Sequence, residues 1–184
     1  MKAVALISLG IDSPVACHLM KKKGFEIVYL HMKIVEGESH IEIIKSKLDE
    51  KAKLKVVDYY PFLEKIKKKC NDKYTCILCK RGMLRIAEEL AIKEGAQAII
   101  TGENLGQVAS QTIENLKVID SAIDLPVLRP LLCLDKTEII DIAREIETYS
   151  ISTGEKRKCP YVPKGPATRS VIERLEKEEA NLNF

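Results

Sequence analysis

The first chemically informative stretch is SLGIDS at positions 8–13, a turn of small and polar residues between an apolar run and a helix-forming segment. Gly10 lets the backbone approach a ligand closely, and the Ser8 and Ser13 hydroxyls can donate hydrogen bonds. A helix that begins near Ser13 would add unpaired amide groups and the positive end of its dipole. The stretch is therefore typical of an anion site, although Asp12 or Ser13 could instead cap the helix. It matches neither a Walker A loop nor the dinucleotide pattern G-x-G-x-x-G.

Six cysteines are the second candidate feature, and their positions divide them into two groups. Three lie in predicted helices or apolar runs and are interpreted as small buried residues, namely Cys17, Cys70 and Cys133. Cys76 and Cys79 form a C-x-x-C pair, which we predict on a loop entering a helix. That position lowers the pKa of a thiol and suits metal or redox chemistry. Cys159 precedes Pro160 in another predicted loop.

Alternating strands and helices have to position these residues, and the hydrophobic pattern predicts such an alternation. The predicted strands cover residues 1–8, 26–31, 55–59 and 97–101, with an extended piece at 126–129. The predicted helices cover 13–23, 40–54, 62–70, 80–94, 106–116 and 135–146, followed by an amphipathic C-terminal helix, with loops at 36–39 and 71–80. Strands separated by helices of this length require crossover connections. We therefore predict an α/β fold with three layers, in which helices cover both faces of an open, mostly parallel sheet.

Several polar residues follow predicted strands, where open parallel sheets bind their ligands. Gly102 and Glu103 follow the fourth strand, Arg129 ends the extended piece, and His31 ends the second strand. We expect them to meet the opening turn at one edge of the sheet. Glu103 could otherwise cap a helix, and His31 could be an ordinary polar surface residue.

Length and composition set the limits of the fold and of the environment. A chain of 184 residues with 46% hydrophobic residues suits one domain, residues 1–184. The sequence contains no apolar stretch of about 20 residues and no signal peptide, so we expect a cytoplasmic protein without a membrane partner. A net charge of +3 makes no strong case for nucleic acid. The lysine clusters at 21–23 and 65–69 are interpreted as solvated helix faces.

The opening turn resembles the PP-loop of ATP pyrophosphatases, whose usual pattern is Ser-Gly-Gly-x-Asp-Ser, with Leu9 replacing the first glycine. A leucine there requires a negative φ and would place a bulky group near the ligand. Two further stretches resemble the PP-loop domain of the tRNA 4-thiouridine synthetase (ThiI) family. They are CILCKRGMLRIAEELAIKEGAQAIITGENLGQVASQTIENLKVID and LRPLLCLDKTEIIDIAREIETYSIS, and TGENLGQVASQT is the most specific piece. With the final VPKGPATR, the resemblance covers most of the chain.

The resemblance implies an adenine nucleotide alpha-hydrolase-like (HUP, Rossmann-like) fold, with one stand-alone PP-loop domain that lacks THUMP and rhodanese domains. In that family ATP adenylates the carbonyl oxygen of the uridine at tRNA position eight, and sulfur then displaces AMP. The implied enzyme is an ATP-dependent sulfurtransferase that uses ATP and Mg²⁺ and releases pyrophosphate and then AMP. The residues expected to bind these cofactors are Ser8, Gly10, Asp12, Ser13, His31, Lys80, Arg81, Gly102, Glu103, Gln107, Gln111 and Arg129.

Individual roles can be assigned within that set. Asp12 and Glu103 offer hard oxygen ligands for Mg²⁺ bound to pyrophosphate oxygens. We expect Asp12, together with Cys159, to be catalytic. His31 lies where this class of nucleotide-binding proteins places adenosine.

Two other groups of residues are candidates for binding the substrates. Lys80 and Arg81 could pair with phosphates of ATP or tRNA, the arginine through its two-pronged guanidinium group. Gln107, Ser110 and Gln111 lie within about one predicted helical turn and could hydrogen-bond to the nucleotide or to uracil. Solvation of a helix surface is the alternative for the second group.

For the three remaining cysteines the first hypothesis is an iron–sulfur cluster. Cys76, Cys79 and Cys159 would leave one iron open to bind sulfide for delivery to the activated carbonyl. Archaeal relatives with this cysteine pattern are cluster enzymes, whereas bacterial relatives use the later cysteine as a persulfide carrier. A Cys76–Cys79 disulfide or a Cys159 persulfide is the second hypothesis. Zinc is the third, because it usually requires a fourth protein ligand.

The expected partners are tRNA and a sulfur donor. Because the relatives bind tRNA through a THUMP-containing region, we expect a homodimer or a tRNA-binding partner protein to supply that function here. Two alternatives change the function itself. One is an adenylating enzyme that acts on a small carbonyl substrate, and the other is a non-catalytic nucleotide- or iron–sulfur-binding subunit.

Overall fold

The computed structural model describes residues 1–34, 40–154 and 159–182, so the predicted loop at 36–39 lies outside the described residues. Five strands form one sheet: β1 (Lys2–Leu6), β2 (Glu26–Lys33), β3 (Leu54–Asp58), β4 (Ala98–Ile100) and β5 (Val127–Leu128). Their order is β3-β2-β1-β4-β5, and every neighbouring pair is parallel. The prediction of an open parallel α/β sheet is therefore confirmed.

Helices cover both faces of this sheet. They are α1 (Asp12–Lys22), α2 (Ile41–Leu48), α3 (Tyr60–Lys69), α4 (Thr75–Glu94), α5 (Ile113–Asp120), α6 (Lys136–Glu145), α7 (Tyr149–Gly154) and α8 (Ile172–Glu179). Apolar residues of α3, α4, α5 and α8 pack against one face, and those of α1, α2, α6 and α7 pack against the other. None of the helices in the described part of the chain is both long and apolar enough to cross a bilayer.

The central strand β1 shows why this arrangement forms. Its successive side chains alternate between the two faces, as a strand requires. Val4 belongs to the apolar cluster beneath α4, whereas Ala3 and Ala5 belong to the cluster beneath α1. All three are fully buried, which is usual for a parallel strand covered on both faces.

The strand order reverses at β1, which has β2 on one side and β4 on the other. The chain leaves β1 towards α1 on one face, and it leaves β4 towards α5 on the opposite face. Such a reversal opens a crevice beyond the carboxyl ends of the two strands. The opening turn and the residues after β4 therefore lie at the same edge, as predicted.

Three helix boundaries differ markedly from the predictions. The predicted helix at 106–116 is replaced by a 3-10 turn at Ala109–Gln111 and then α5, because Thr112 is extended and caps α5 by accepting from the Asn115 amide at 3.2 Å. The predicted helix at 40–54 ends at Leu48, since the next residue is extended.

The third difference is that α4 begins at Thr75 rather than near residue 80. Ile77 and Leu78 are buried in the apolar cluster on this face of the sheet, and their burial stabilises the helical conformation of this segment. Cys76 and Cys79 consequently lie in the first turns of α4, and the prediction of a cysteine-bearing loop is wrong.

Gly102, just after β4, packs directly against the start of α1. A Cβ atom at this position would lie 2.6 Å from the Ser13 nitrogen and 2.7 Å from its Cα. Both atoms are backbone, so they cannot move aside as a flexible side chain could. The close contact between the β4 end and α1 therefore requires glycine here.

A buried ion pair attaches α8 to the rest of the fold. Glu179 accepts two hydrogen bonds from Arg81, at 2.7 and 2.9 Å, and two from Arg85, at 2.7 and 2.8 Å. Arg81 is only 1% exposed and also donates to the Val118 carbonyl and the Ser121 hydroxyl. One carboxylate thus links α8 to α4, and through Arg81 to α5.

Gly102→Ala should destabilise the protein by about 1–3 kcal/mol, because the added methyl group overlaps the backbone at Ser13. Urea-induced unfolding measures this free energy. Gly154→Ala is the matched control, since a Cβ there meets none of the described neighbouring atoms within 4 Å, and its effect should stay within about 0.5 kcal/mol. Equal stability of the two variants would contradict the close contact.

Glu179→Gln should reduce the free energy of unfolding at pH 7 by about 3–5 kcal/mol, because it leaves Arg81 buried without its counter-ion. Glu176→Gln, at an exposed position of the same helix, is the control and should change little. If Glu179→Gln were as stable as this control, the ion pair would contribute nothing to the free energy of unfolding.

The same variant should also change the pH dependence of stability. Burial alone would raise the pKa of Glu179, but Arg85 and Arg81 outweigh burial and hold the pKa below its usual value. A lowered folded-state pKa contributes stability above the unfolded-state pKa, about 4.3, and that contribution is lost as the pH falls through the folded-state pKa. The stability difference between wild type and Glu179→Gln should therefore shrink below about pH 4.

Candidate active site

A cavity of about 310 Å³ lies at the carboxyl ends of β1, β2 and β4. The turn after β1 forms its floor, and Lys80, Met83 and Leu84 of α4 form one wall. The end of β2 contributes apolar side chains, and the segment after β4 contributes polar ones. The predicted site residues that line the cavity are Ser8, Gly10, Asp12, Ser13, His31, Lys80, Gly102, Glu103 and Gln111.

The turn after β1 is built by hydrogen bonds between its two serines. The Ser8 amide donates to the Ser13 hydroxyl at 2.8 Å, and the two hydroxyl oxygens lie 2.9 Å apart. The Gly10 amide donates to the Ser8 hydroxyl at 3.2 Å. Ser13 is thus occupied within the turn, and no side chain caps the start of α1. Of the two interpretations of this stretch, the anion site fits the structure better than the capping role.

Leu9 fits this turn without backbone strain. Glu147 is the only residue other than glycine with a positive φ in the described part of the chain, so Leu9 has the negative φ that was expected. Its half-buried side chain packs against the apolar cluster on the α1 face while also lining the cavity. The leucine therefore contributes to the core beneath the turn.

Glu103 is the most strongly paired group at the cavity. Its Oε1 accepts from Lys80 Nζ at 2.7 Å, and its Oε2 accepts from Arg129 Nε at 2.8 Å and from the Thr101 hydroxyl at 3.2 Å. Burial by itself would raise the pKa of Glu103, but Lys80 and Arg129 hold the pKa below its usual value. The carboxylate is therefore ionised and fixes Lys80 at the cavity wall.

This pairing revises the roles expected for Glu103 and Arg129. Both oxygens of Glu103 already face cations, so the carboxylate does not suit Mg²⁺, and that expectation is corrected. Arg129 does not line the cavity, because its guanidinium group also pairs with Asp120. Arg129 therefore pairs with Glu103 without contributing to the cavity lining.

Asp12 remains the carboxylate that suits Mg²⁺. It lines the cavity, is partly exposed, and pairs through Oδ1 with Lys136 at the start of α6. An incoming Mg²⁺ would compete there with one exposed lysine, and nucleotide phosphates could supply further oxygens. Sequence reasoning missed Lys136, whose one available signal was a basic residue at the first position of a helix capped by Asp135.

Two other predicted residues lie outside the cavity, and a third lies buried within its lining. Arg81 is committed to Glu179 and does not line the cavity, so the expectation that it pairs with phosphate is corrected. Gln107 is exposed and lies outside the cavity lining. His31 is buried at the cavity, where its Nδ1 lies 2.9 Å from the Ile7 carbonyl oxygen.

Cys159 is an electrostatic neighbour of Cys76 and Cys79, although it is remote from them in sequence. Burial raises the pKa of Cys79 and of Cys76, and Cys159 raises both further, whereas Lys80 opposes the change. The expected lowering of the thiol pKa is therefore wrong. All three are free cysteines, so the structure contains no Cys76–Cys79 disulfide, which was the second hypothesis. Within residues 1–34, 40–154 and 159–182, no three His, Cys, Asp or Glu side chains stand ready to hold a metal ion.

Known proteins show which family this site belongs to. The family model described as "Thiamine biosynthesis protein (ThiI)" matches residues 1–184. A "Probable tRNA sulfurtransferase" of Methanocaldococcus jannaschii is 46% identical over 96% of this chain and 48% of its own length. One of Thermococcus kodakarensis is 43% identical over 96% of this chain and 49% of its own length. The chain thus spans about half the length of the curated relatives it matches.

A solved structure shares both sequence and fold with the chain. The crystal structure of a 4-thiouridine synthetase–RNA complex with bound ATP superposes with a TM-score of 0.90 at 41% identity, covering 99% of this chain and 50% of that one. The chain therefore belongs to the ThiI family.

Proposed function

We propose that this chain is the catalytic PP-loop domain of an ATP-dependent tRNA sulfurtransferase that forms 4-thiouridine. The observation that carries the proposal is the uncapped turn after β1, which faces a lysine that Glu103 holds at the cavity wall. The names of the relatives and the solved 4-thiouridine synthetase with RNA and ATP support it.

The shape of the cavity suits ATP. The amides at the start of α1 and the positive charge of Lys80 would bind the triphosphate. The end of β2 offers the apolar side chains Leu30, Met32 and Ile34 for the adenine ring. Phosphates at the turn and adenine near β2 leave the polar end of the cavity, beyond β4, for the acceptor base.

The first chemical step would be attack of the uracil O4 on the α-phosphorus of ATP. A new P–O bond forms, the bond to the β-phosphate oxygen breaks, and pyrophosphate leaves while the uracil N3 proton passes to solvent. The turn and Lys80 stabilise the negative charge that accumulates on the leaving pyrophosphate. Mg²⁺, held by Asp12 and the phosphates, would supply additional charge stabilisation.

In the second step a sulfur nucleophile would attack C4 of the adenylated base. A C–S bond forms, the C4–O bond breaks, and AMP leaves from the turn. Cys76, Cys79 and Cys159 are the residues that would hold an iron–sulfur cluster, which could bind the sulfide needed for this attack. The electrostatic interaction of Cys159 with both Cys76 and Cys79, which also interact with Lys80, supports this assignment.

Lys80→Met should lower RNA-dependent release of pyrophosphate and AMP by about 10- to 100-fold in kcat/KM, the loss expected for one charged hydrogen bond to phosphate. The assay follows labelled ATP with tRNA and sulfide, and nucleoside analysis of the tRNA detects 4-thiouridine. Lys93→Met, at an exposed position of the same helix, is the control and should retain wild-type activity. ATP turnover that is equal with and without RNA would contradict the proposed function.

Anaerobic reconstitution with iron and sulfide should give a protein that contains iron and absorbs visible light. Cys159→Ala should lose most of that iron and absorbance, because only two of the three proposed ligands remain. Cys133→Ala, which removes an exposed thiol elsewhere, is the control and should load like wild type. An iron-free wild-type protein after reconstitution, or equal loading of Cys159→Ala, would exclude this cluster site.

A further inference from the structure

The chain segment that carries Cys159 is attached to α3 through Tyr161. The hydroxyl of Tyr161 donates to Oε1 of Glu64 at 2.6 Å. The other oxygen of Glu64 lies 3.6 Å from Lys68 Nζ, so the two oxygens face different partners. A bond this short between a hydroxyl and a carboxylate is charge-assisted, and such bonds are roughly twice as strong as those between neutral groups.

The ring of Tyr161 is held as firmly as its hydroxyl. The residue is only 6% exposed and belongs to the apolar cluster beneath α4. Its ring meets that of Tyr60 edge-on, with the centroids 6.0 Å apart and an angle of 67° between the planes, a favourable geometry for two aromatic rings. Tyr161 thus fixes Cys159, two residues earlier in the chain, to the first half of α3.

The start of α3 also contacts the turn of α4 that carries the C-x-x-C pair. Tyr59, immediately before α3, is 1% exposed and donates from its hydroxyl to the Cys79 carbonyl at 2.8 Å. The same end of one helix therefore contacts both parts of the cysteine group. This arrangement explains why Cys159 acts electrostatically on Cys76 and Cys79 from a remote position in the sequence.

A second hydrogen-bonded attachment of this segment lies further along the chain. The Ala167 amide donates to the Lys73 carbonyl at 2.9 Å, and its carbonyl accepts from Asn115 Nδ2 at 2.9 Å. Ala167 is eight residues from Cys159, whereas Tyr161 is two residues away. The effective concentration of a tethered group falls as about the −3/2 power of the tether length, so losing the nearer attachment would lower that of the Cys159 thiol roughly 8-fold.

We infer that Tyr161 and Glu64 are positioning residues, whose hydrogen bond keeps the Cys159 thiol within reach of Cys76 and Cys79. The inference rests on the proposed function, because it concerns the cysteines that would handle sulfur. No three metal-ligating side chains converge among the residues whose positions the structure describes, so Cys159 has to close on the pair when a ligand binds. A short tether limits the freedom that the thiol loses in that step.

The test uses arsenite, because trivalent arsenic can bind three thiols without iron, ATP or RNA. Each As–S bond that forms replaces an As–OH bond and releases one water, so three thiols release three waters and nothing is oxidised. The ultraviolet charge-transfer absorbance of the As–S bonds measures the affinity. Wild type should bind one equivalent, and Cys159→Ser should bind arsenite much more weakly.

Tyr161→Phe keeps the ring but removes the hydroxyl, and should lower the affinity for arsenite roughly 3- to 8-fold. Glu64→Leu should give the same loss, and the double variant should be no worse than either single variant, because both changes remove one hydrogen bond. Glu64→Gln keeps an acceptor and should retain most of the wild-type affinity. Tyr149→Phe, in α7 on the opposite face of the sheet, is the control and should bind as wild type.

Two further measurements separate positioning from a general loss of structure. Phenylarsine oxide bridges only two thiols, so in a Cys159→Ser background it reports on Cys76 and Cys79, and Tyr161→Phe should not change its affinity there. In the activity assay, Tyr161→Phe should lower the formation of 4-thiouridine. RNA-dependent release of pyrophosphate in the first turnover should stay unchanged, because adenylation precedes the sulfur step.

Arsenite binding like that of wild type in Tyr161→Phe and Glu64→Leu would overturn the inference. Losses that multiply in the double variant, or a parallel loss of affinity for phenylarsine oxide, would also overturn it, because the hydrogen bond would then not be the cause. Wild type that binds arsenite no better than Cys159→Ser would show that the three thiols share no site. Arsenite results as expected, in a protein that releases no pyrophosphate with any tRNA, would refute the proposed function and still confirm that this contact positions the thiols.

Discussion

The active-site edge depends on one buried carboxylate, that of Glu103. An ionised group in this position is stable only because Lys80 and Arg129 approach it from two sides and Thr101 donates a third hydrogen bond. Those contacts connect the end of β4 with α4 and with the segment after β5. The carboxylate thereby fixes the geometry of three elements that the chain brings together from distant positions.

Helix α4 carries residues with different roles around this carboxylate. Adjacent residues on a helix point about 100° apart, so neighbours in sequence can serve different environments. Lys80 reaches the cavity, whereas Arg81 turns into the core and pairs with Glu179 of α8. One helix therefore carries a cavity lysine, a structural arginine and, in its first turns, two of the three neighbouring cysteines.

The sequence predicts the sheet and the turn after β1 well, because both arise from local patterns. Alternating apolar runs, helix stops and small residues at strand ends are all visible within short windows. The predictions for Arg81 and Glu103 were wrong for a different reason. Their partners are remote in sequence, at Glu179 and Arg129, and no local pattern shows that a charge is already paired.

The C-x-x-C pair illustrates the same limit. A thiol near the start of a helix is ordinarily stabilised as thiolate by the positive end of the helix dipole. Here burial, and then the third thiol Cys159, act in the opposite direction on Cys76 and Cys79. Cys159 is remote in sequence from both Cys76 and Cys79, so only the folded chain reveals its effect.

That effect bears on the choice between sulfur chemistries. A persulfide carrier needs a thiolate at neutral pH, and the raised pKa values of Cys76 and Cys79 disfavour it at those two positions. Bound iron would reverse the balance, because its positive charge offsets both the burial of the sulfurs and their mutual repulsion. The environment that keeps these thiols protonated is therefore one in which metal binding releases protons. Cys76 and Cys79 are therefore weak nucleophiles in this environment, and the proposed ligand role would require each of them to give up its proton.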